Sequence, residues 1–162
     1  MGVIALIVAL AFTTTIAVRE WRRADRTQSQ FADELTQRHN AGVDADALAV
    51  ALYTFDYRDL GAAQKRIQML ATGGFAEREA SQSAAVQTQL RNAKAVGTAA
   101  VEETNVSEID GDHATAFVVL QTTASSNGGK KVANVVYLHL DLRRIGALWK
   151  VDDVQNLAAQ SS

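Results

Sequence analysis

The chain has 162 residues, with no cysteine and no proline. Without thiols it cannot form disulfides, thiolate metal sites, iron–sulfur clusters or a cysteine nucleophile. Without proline no slow X-Pro isomerisation can limit folding, and the turns must rely on Gly, Asn and Asp. Basic charge is also scarce. From Asn40 onward there are 11 Lys plus Arg against 14 Asp plus Glu, a net charge of −3. No basic stripe or aromatic-interleaved patch appears, so nucleic acid is not expected as a partner.

Charge is missing altogether from one segment. Met1 to Val18 contains no ionisable side chain, and Arg19, Glu20, Trp21, Arg22 and Arg23 follow at once. As a helix, 18 residues span about 27 Å, close to a hydrocarbon core of about 30 Å. The expectation is a single-pass transmembrane anchor over residues 1–18. A secretory signal peptide and a buried core helix are the competing readings. No basic residue precedes the run, and Ile16-Ala17-Val18-Arg19 is a poor cleavage site. A core helix seldom stays apolar on all sides over such a length. Arg19, Arg22 and Arg23 pull towards the cytoplasmic side, whereas Glu20 and Asp25 dilute them, so charge does not choose the topology.

The remainder, about 140 residues, is the length of one domain. Residues 19–41 read as a polar helical stalk, with Phe31 and Leu35 as its main apolar pair and Asn40-Ala41-Gly42 as its stop. Asp44 then opens a second helix with Asp46 at its positive dipole end. Leu48, Ala51, Leu52 and Phe55 form one face of it. A third helix from Asp59 carries Leu60, Ala63, Ile67 and Leu70. A fourth, from Phe75 to Ala95, buries Phe75, Val86, Leu90 and Ala93.

The pattern then changes to strands. Val96–Ile109, His113–Thr123, Val132–Arg143 and Leu148–Leu157 alternate apolar and polar positions, with turns at Asp110-Gly111-Asp112, Ser125–Gly129 and Arg144–Ala147. Helices followed by hairpin-linked strands give an α+β class: three helices packed on a curved four-stranded antiparallel sheet over residues 42–158, with 159–162 as a flexible tail.

Catalytic chemistry finds little support. His39 lies in the polar stalk, His113 follows a turn, and His139 alternates with Leu138 and Leu140. No His-x-x-x-His or paired-carboxylate spacing marks a metal site. Gly73-Gly74 and Gly128-Gly129 lack the Lys-Ser or Lys-Thr of a phosphate loop. No catalytic residue, cofactor or metal is therefore expected. Arg58 has two structural readings: it closes a helix at the negative dipole end, or it pairs with Asp152 or Asp153 of the last strand. Trp149, the largest apolar side chain of the sheet, reads as core.

Leu52-Tyr53-Thr54-Phe55-Asp56-Tyr57-Arg58-Asp59-Leu60, Leu70-Ala71-Thr72-Gly73-Gly74-Phe75 and Leu148-Trp149-Lys150-Val151-Asp152-Asp153-Val154 together resemble the Mce-associated membrane proteins of actinobacteria. The resemblance implies an N-terminal anchor in the cell membrane and an extracytoplasmic domain like nuclear transport factor 2. It further implies a non-enzymatic accessory role beside mammalian-cell-entry (Mce) lipid or sterol importers, with Mce-type transporter subunits and a permease as partners. A similar architecture occurs in the inner-membrane assembly subunits of type IV secretion and conjugation systems. A lipid-binding or isomerase-like enzyme using the mouth of the fold is the third reading, and self-association stays open. Val135 and Tyr137, opposite the main apolar series of their strand, are the candidate partner contacts.

Overall fold

The structure, a computed structural model, describes residues 31–157. The expected anchor over Met1–Val18 and most of the stalk lie outside the described residues. Among the described residues no helix is long and apolar enough to cross a membrane. The contacts divide the chain into two units, Met1–Gln37 and Arg38–Ser162.

Helix α1 covers residues 31–53. It runs through Asn40-Ala41-Gly42 without a break, so the expected stop is not one. Ala41, Ala45, Leu48 and Ala49 are fully buried, and this row of mostly small side chains seats the helix closely against the sheet. Tertiary packing overrides the local glycine signal. Asp44 and Asp46 do not begin a helix either. Asp44 Oδ2 accepts the Trp149 N–H at 2.9 Å, and Asp46 accepts the Thr104 hydroxyl. Carboxylates that look like cap signals instead tie α1 to two strands.

The strands are β1 (Phe55–Asp56), β2 (Val96–Asp110), β3 (His113–Ser125), β4 (Val132–Ile145) and β5 (Leu148–Asn156). They form one antiparallel sheet in sequential order, β1-β2-β3-β4-β5. Five strands replace the four expected, because Phe55 belongs to the sheet and not to a helix. Phe55 pairs with Gly97 and Asp56 with Val96. The glycine is required there: a Cβ on Gly97 would stand 2.7 Å from the Phe55 ring and 2.8 Å from the Tyr53 carbonyl oxygen.

Helices α2 (Leu60–Leu70) and α3 (Gly73–Asn92) precede the long strands. Asp59 caps α2, its carboxylate accepting from Ala62 N at 3.3 Å. The α2 face is as expected, with Leu60, Ala63 and Ile67 buried. In α3 only Phe75 is buried, and Val86, expected inside, is exposed. The helix docks through its first turn, where the Thr72 N–H donates to Val151 O at 2.8 Å. With α1–α3 set against the sheet, the α+β class is that of nuclear transport factor 2-like folds.

The core is the inner face of the sheet. Ala116 stands opposite Leu140, Val118 opposite Leu138 and Leu120 opposite Val136. Small side chains facing large ones let the strands curve around the helices. Trp149 and Val151 of β5 complete the layer, and the Arg144 guanidinium lies 5.7 Å from the Trp149 ring centre.

Both sheet edges are guarded. Strand β2 is irregular after Val101 and after Val106, and it carries only acidic charge at Glu102, Glu103, Glu108 and Asp110. Arg38 donates to the Val106 carbonyl. Bulges, charges and covering groups discourage strand pairing with another chain. At the other edge Ala71 bridges Val151, and the ladder slips beside Asp152.

Candidate contact surface

Alternation along β3 and β4 sends every second side chain away from the helices. Phe117, Val135 and Tyr137 point this way and are 41%, 44% and 48% exposed. Val119 sits opposite Tyr137, and Phe117 sits opposite His139. The Phe117 and His139 rings contact each other at 4.9 Å between centroids, tilted by 58°. Phe117, Val119, Val135, Tyr137 and His139 therefore form one continuous apolar and aromatic patch on the outer face. No described element covers it.

The carboxylates nearest the patch are Glu103 and Asp141; Asp153, opposite Asp141, is held by Arg78, and Lys131 precedes β4 at the Val135 end. Glu103 of β2 is exposed and stands opposite Val119. Asp141 is two residues beyond His139 on the same face, opposite Thr115, whose hydroxyl donates to it at 3.4 Å. The basic residues of this face, Arg143 and Lys150, pair at the hairpin end, with His113 opposite Arg143. Arg143 also binds Asp152 at 3.3 Å.

The structure places the other sequence-selected residues in structural roles. Arg58 meets neither Asp152 nor Asp153. It pairs with Asp56, its Nε donating to both carboxylate oxygens at 2.9 and 3.0 Å. Those hydrogen bonds hold the Asp56 carboxyl down at about 2, below its usual 3.8. Asp153 pairs with Arg78 of α3. Asp152 lies against Gly73, where a Cβ would stand 1.7 Å from its Oδ1 and φ is +52°. Trp149 is core, 2% exposed.

The hydrogen bonds between Arg58 and Asp56 also raise Arg58, and two groups outside this pair are shifted as well. Burial pushes the Tyr53 hydroxyl up, partly offset by its hydrogen bond with Asn156 at 3.4 Å. Partial burial raises Glu79, with Arg78 acting in the opposite sense. The groups that act on them are Asn156 for Tyr53 and Arg78 for Glu79. Among the described residues no group of three or more His, Asp and Glu side chains could hold a metal ion.

A groove of about 300 Å³ opens between α2 and the β1–β2 edge, lined by Thr54, Phe55, Asp59, Arg66, Gly97 and Thr98 among others. Its polar groups are largely committed. Asp59 caps α2, and Arg66 reaches the Thr54 carbonyl at 3.5 Å. Only the Thr54 hydroxyl is buried there without a partner.

Three solved type IV secretion structures share this fold. An IcmL-like type IV secretion system protein from Legionella pneumophila matches with a TM-score of 0.61 at 19% identity, over 74% of this chain and 91% of that one. The periplasmic domain of DotI matches with a TM-score of 0.59 at 11% identity, over 71% and 91%. CagV, a VirB8 homolog of the type IV secretion system of Helicobacter pylori, matches with a TM-score of 0.55 at 9% identity, over 71% and 94%. No protein-family model and no curated protein sequence matches the chain.

These comparisons overturn the expected placement among Mce-associated proteins, and with it the lipid-import role, the actinobacterial assignment and the Mce-type transporter and permease partners. The residues that carried the resemblance explain why. Arg58 locks a turn with Asp56, Gly73 makes room for Asp152, and Trp149 fills the core. They report how the chain folds and do not distinguish the partners of proteins that fold alike.

The sequence pattern identified Val135 and Tyr137 but passed over Phe117, Val119 and His139. Their signal was the alternation of β3 against the apolar series Ala116, Val118 and Leu120.

Proposed function

We propose that this protein is a non-enzymatic assembly subunit of a type IV secretion or conjugation apparatus, working by contact. In this reading Met1–Val18 anchors it in the inner membrane, the residues from there to Gln37 form a stalk, and the folded unit, which begins at Arg38 and not at the expected residue 42, stands on the extracytoplasmic side. The observation that carries the reading is the contrast between a filled inner face and an exposed apolar outer face. Leu120, Leu138, Leu140 and Val118 are buried on the inner face, whereas Phe117, Val135 and Tyr137 stand exposed on the outer one. The fold shared with three type IV secretion proteins supplies the biological setting.

Deletion of the gene tests the proposal. Loss of conjugative DNA transfer or of substrate secretion, restored by the full chain, is the expected result. The full chain should stay in the membrane pellet after alkaline carbonate washing, with the folded unit open to protease added from the periplasmic side. Normal transfer in the deletion strain, or a catalytic turnover by the purified protein, would overturn the proposal.

A further inference from the structure

We infer that the outer face of β3 and β4 docks a basic amphipathic segment of another protein, one that presents apolar side chains flanked by Lys or Arg. The inference deepens the contact reading above and rests on it. The apolar part follows from Phe117, Val119, Val135 and Tyr137, which lie together on one uncovered face. Apolar groups of this size gathered on one surface mark an interaction site. The basic part follows from the charges. Glu103 stands beside the patch on the β2 side and Asp141 beside it along β4. Neither has an ion-pair partner among the described residues, and Asp141 has only the Thr115 hydroxyl.

Covering this face without supplying cations would desolvate both carboxylates uncompensated. A second copy of this chain is a poor occupant for that reason. Of the cations near this face, Arg143 and Lys150 lie at the hairpin end, where Arg143 already holds Asp152; Arg78 already holds Asp153; and Lys131 lies before the opposite end of β4. From Tyr137 to Arg143 is six residues, about 20 Å along the strand. Anionic lipid headgroups are repelled by Glu103 and Asp141. A protein segment with Lys or Arg beside its apolar residues satisfies both features at once, and the complementary charges fix its register.

The experiment is photo-crosslinking in producing cells, with a benzophenone amino acid in place of Tyr137 in the full chain. A second position, at the exposed Met69 of α2, serves as a control away from the patch. Adducts are mapped to the crosslinked peptide by mass spectrometry. The expected result is an adduct from position 137, absent from position 69, on a segment of another protein carrying apolar residues beside Lys or Arg. Glu103→Lys should lower its yield about tenfold or more, since like charges brought together at an interface cost several kcal/mol. Glu103→Gln should lower it less. A melting curve of each variant shows that the domain is still folded.

An adduct on this chain itself would make the occupant a second copy and overturn the inference, and an adduct on lipid would overturn it in favour of a membrane surface. An acidic or uncharged partner segment, or no adduct from position 137, would also overturn it. A basic amphipathic segment on a protein outside any secretion apparatus would leave the docking chemistry standing while removing the proposed function.

Discussion

Strands β3 and β4 carry two faces that both hold apolar side chains, yet only one of the faces is buried. On the inner face Ala116, Val118, Leu120, Leu138, Leu140 and Leu142 are at most 1% exposed. One residue along, Phe117, Val135 and Tyr137 are between 41% and 48% exposed. Apolar character alone therefore does not say what a position is for. The inner residues are held by three helices and contribute to folding. Among the described residues nothing lies over the outer ones, so they contribute little to holding the fold together.

Substitutions on the two faces should separate sharply. Trp149→Ala is expected to have the largest effect, because it removes a buried indole that Arg144 covers and that shares its strand with the Asp44 contact. Truncating such an aromatic costs about 3–5 kcal/mol, against a typical stability of about 5–15. Thermal unfolding should show a fall in melting temperature of more than about 10 °C. Leu140→Ala comes next, at about 2–5 kcal/mol, since Ala116 opposite is too small to fill the cavity. Urea titration should show the midpoint shift with an unchanged slope.

Gly97→Ala tests a different kind of fit. The added methyl meets the Phe55 ring and the Tyr53 carbonyl. Overpacking of this kind costs about 1–3 kcal/mol, and hydrogen exchange should quicken at the β1–β2 pairing before the rest of the sheet. On the outer face, Tyr137→Ser should change stability by no more than about 0.5 kcal/mol. A fall comparable to that of Leu140→Ala would mean that this face is packed after all.

The smallest effect concerns pH. Asp56 is held at about 2 by Arg58. A carboxylate depressed in the folded state stabilises it fully above its unfolded value, and that contribution is lost as pH falls through the folded value. The window here runs from about 3.8 down to about 2. Arg58→Ala should return the Asp56 carboxyl towards its usual value in an NMR titration. Asp56 is exposed to solvent, so the effect on stability should be slight.

Much of this organisation was legible in the sequence, for identifiable reasons. The long strands were readable because alternation and Asp-Gly turns are local signals, and their bounds lie close to those expected. Helix α1 was not read correctly, because Gly42 looks like a stop and Asp44 and Asp46 look like caps. Their partners, Trp149 and Thr104, are far along the chain, and no local pattern reveals such contacts. Phe55 was misread because its apolar position suits a helix face as well as a strand. Only the pairing with Gly97 decides. Val86 was expected inside because α3 reads as amphipathic along its whole length, yet the helix docks by its first turn.

The candidate surface was partly legible for the same reason. Val135 and Tyr137 stood out against a strongly apolar series in their own strand. Phe117 and His139 became part of a patch only through cross-strand register, which the sequence of one strand does not contain. The likeness to type IV secretion proteins, at 9–19% identity, rests on three-dimensional shape.

The central claim is that the inner face makes the fold and the outer face makes the contact. The most direct test is to complement the deletion strain with Tyr137→Asp and measure transfer beside thermal unfolding of the purified domain. The account predicts a melting temperature within about 2 °C of the unaltered protein, as for a surface substitution, together with loss of transfer. Full transfer by a variant that is present and folded would contradict it.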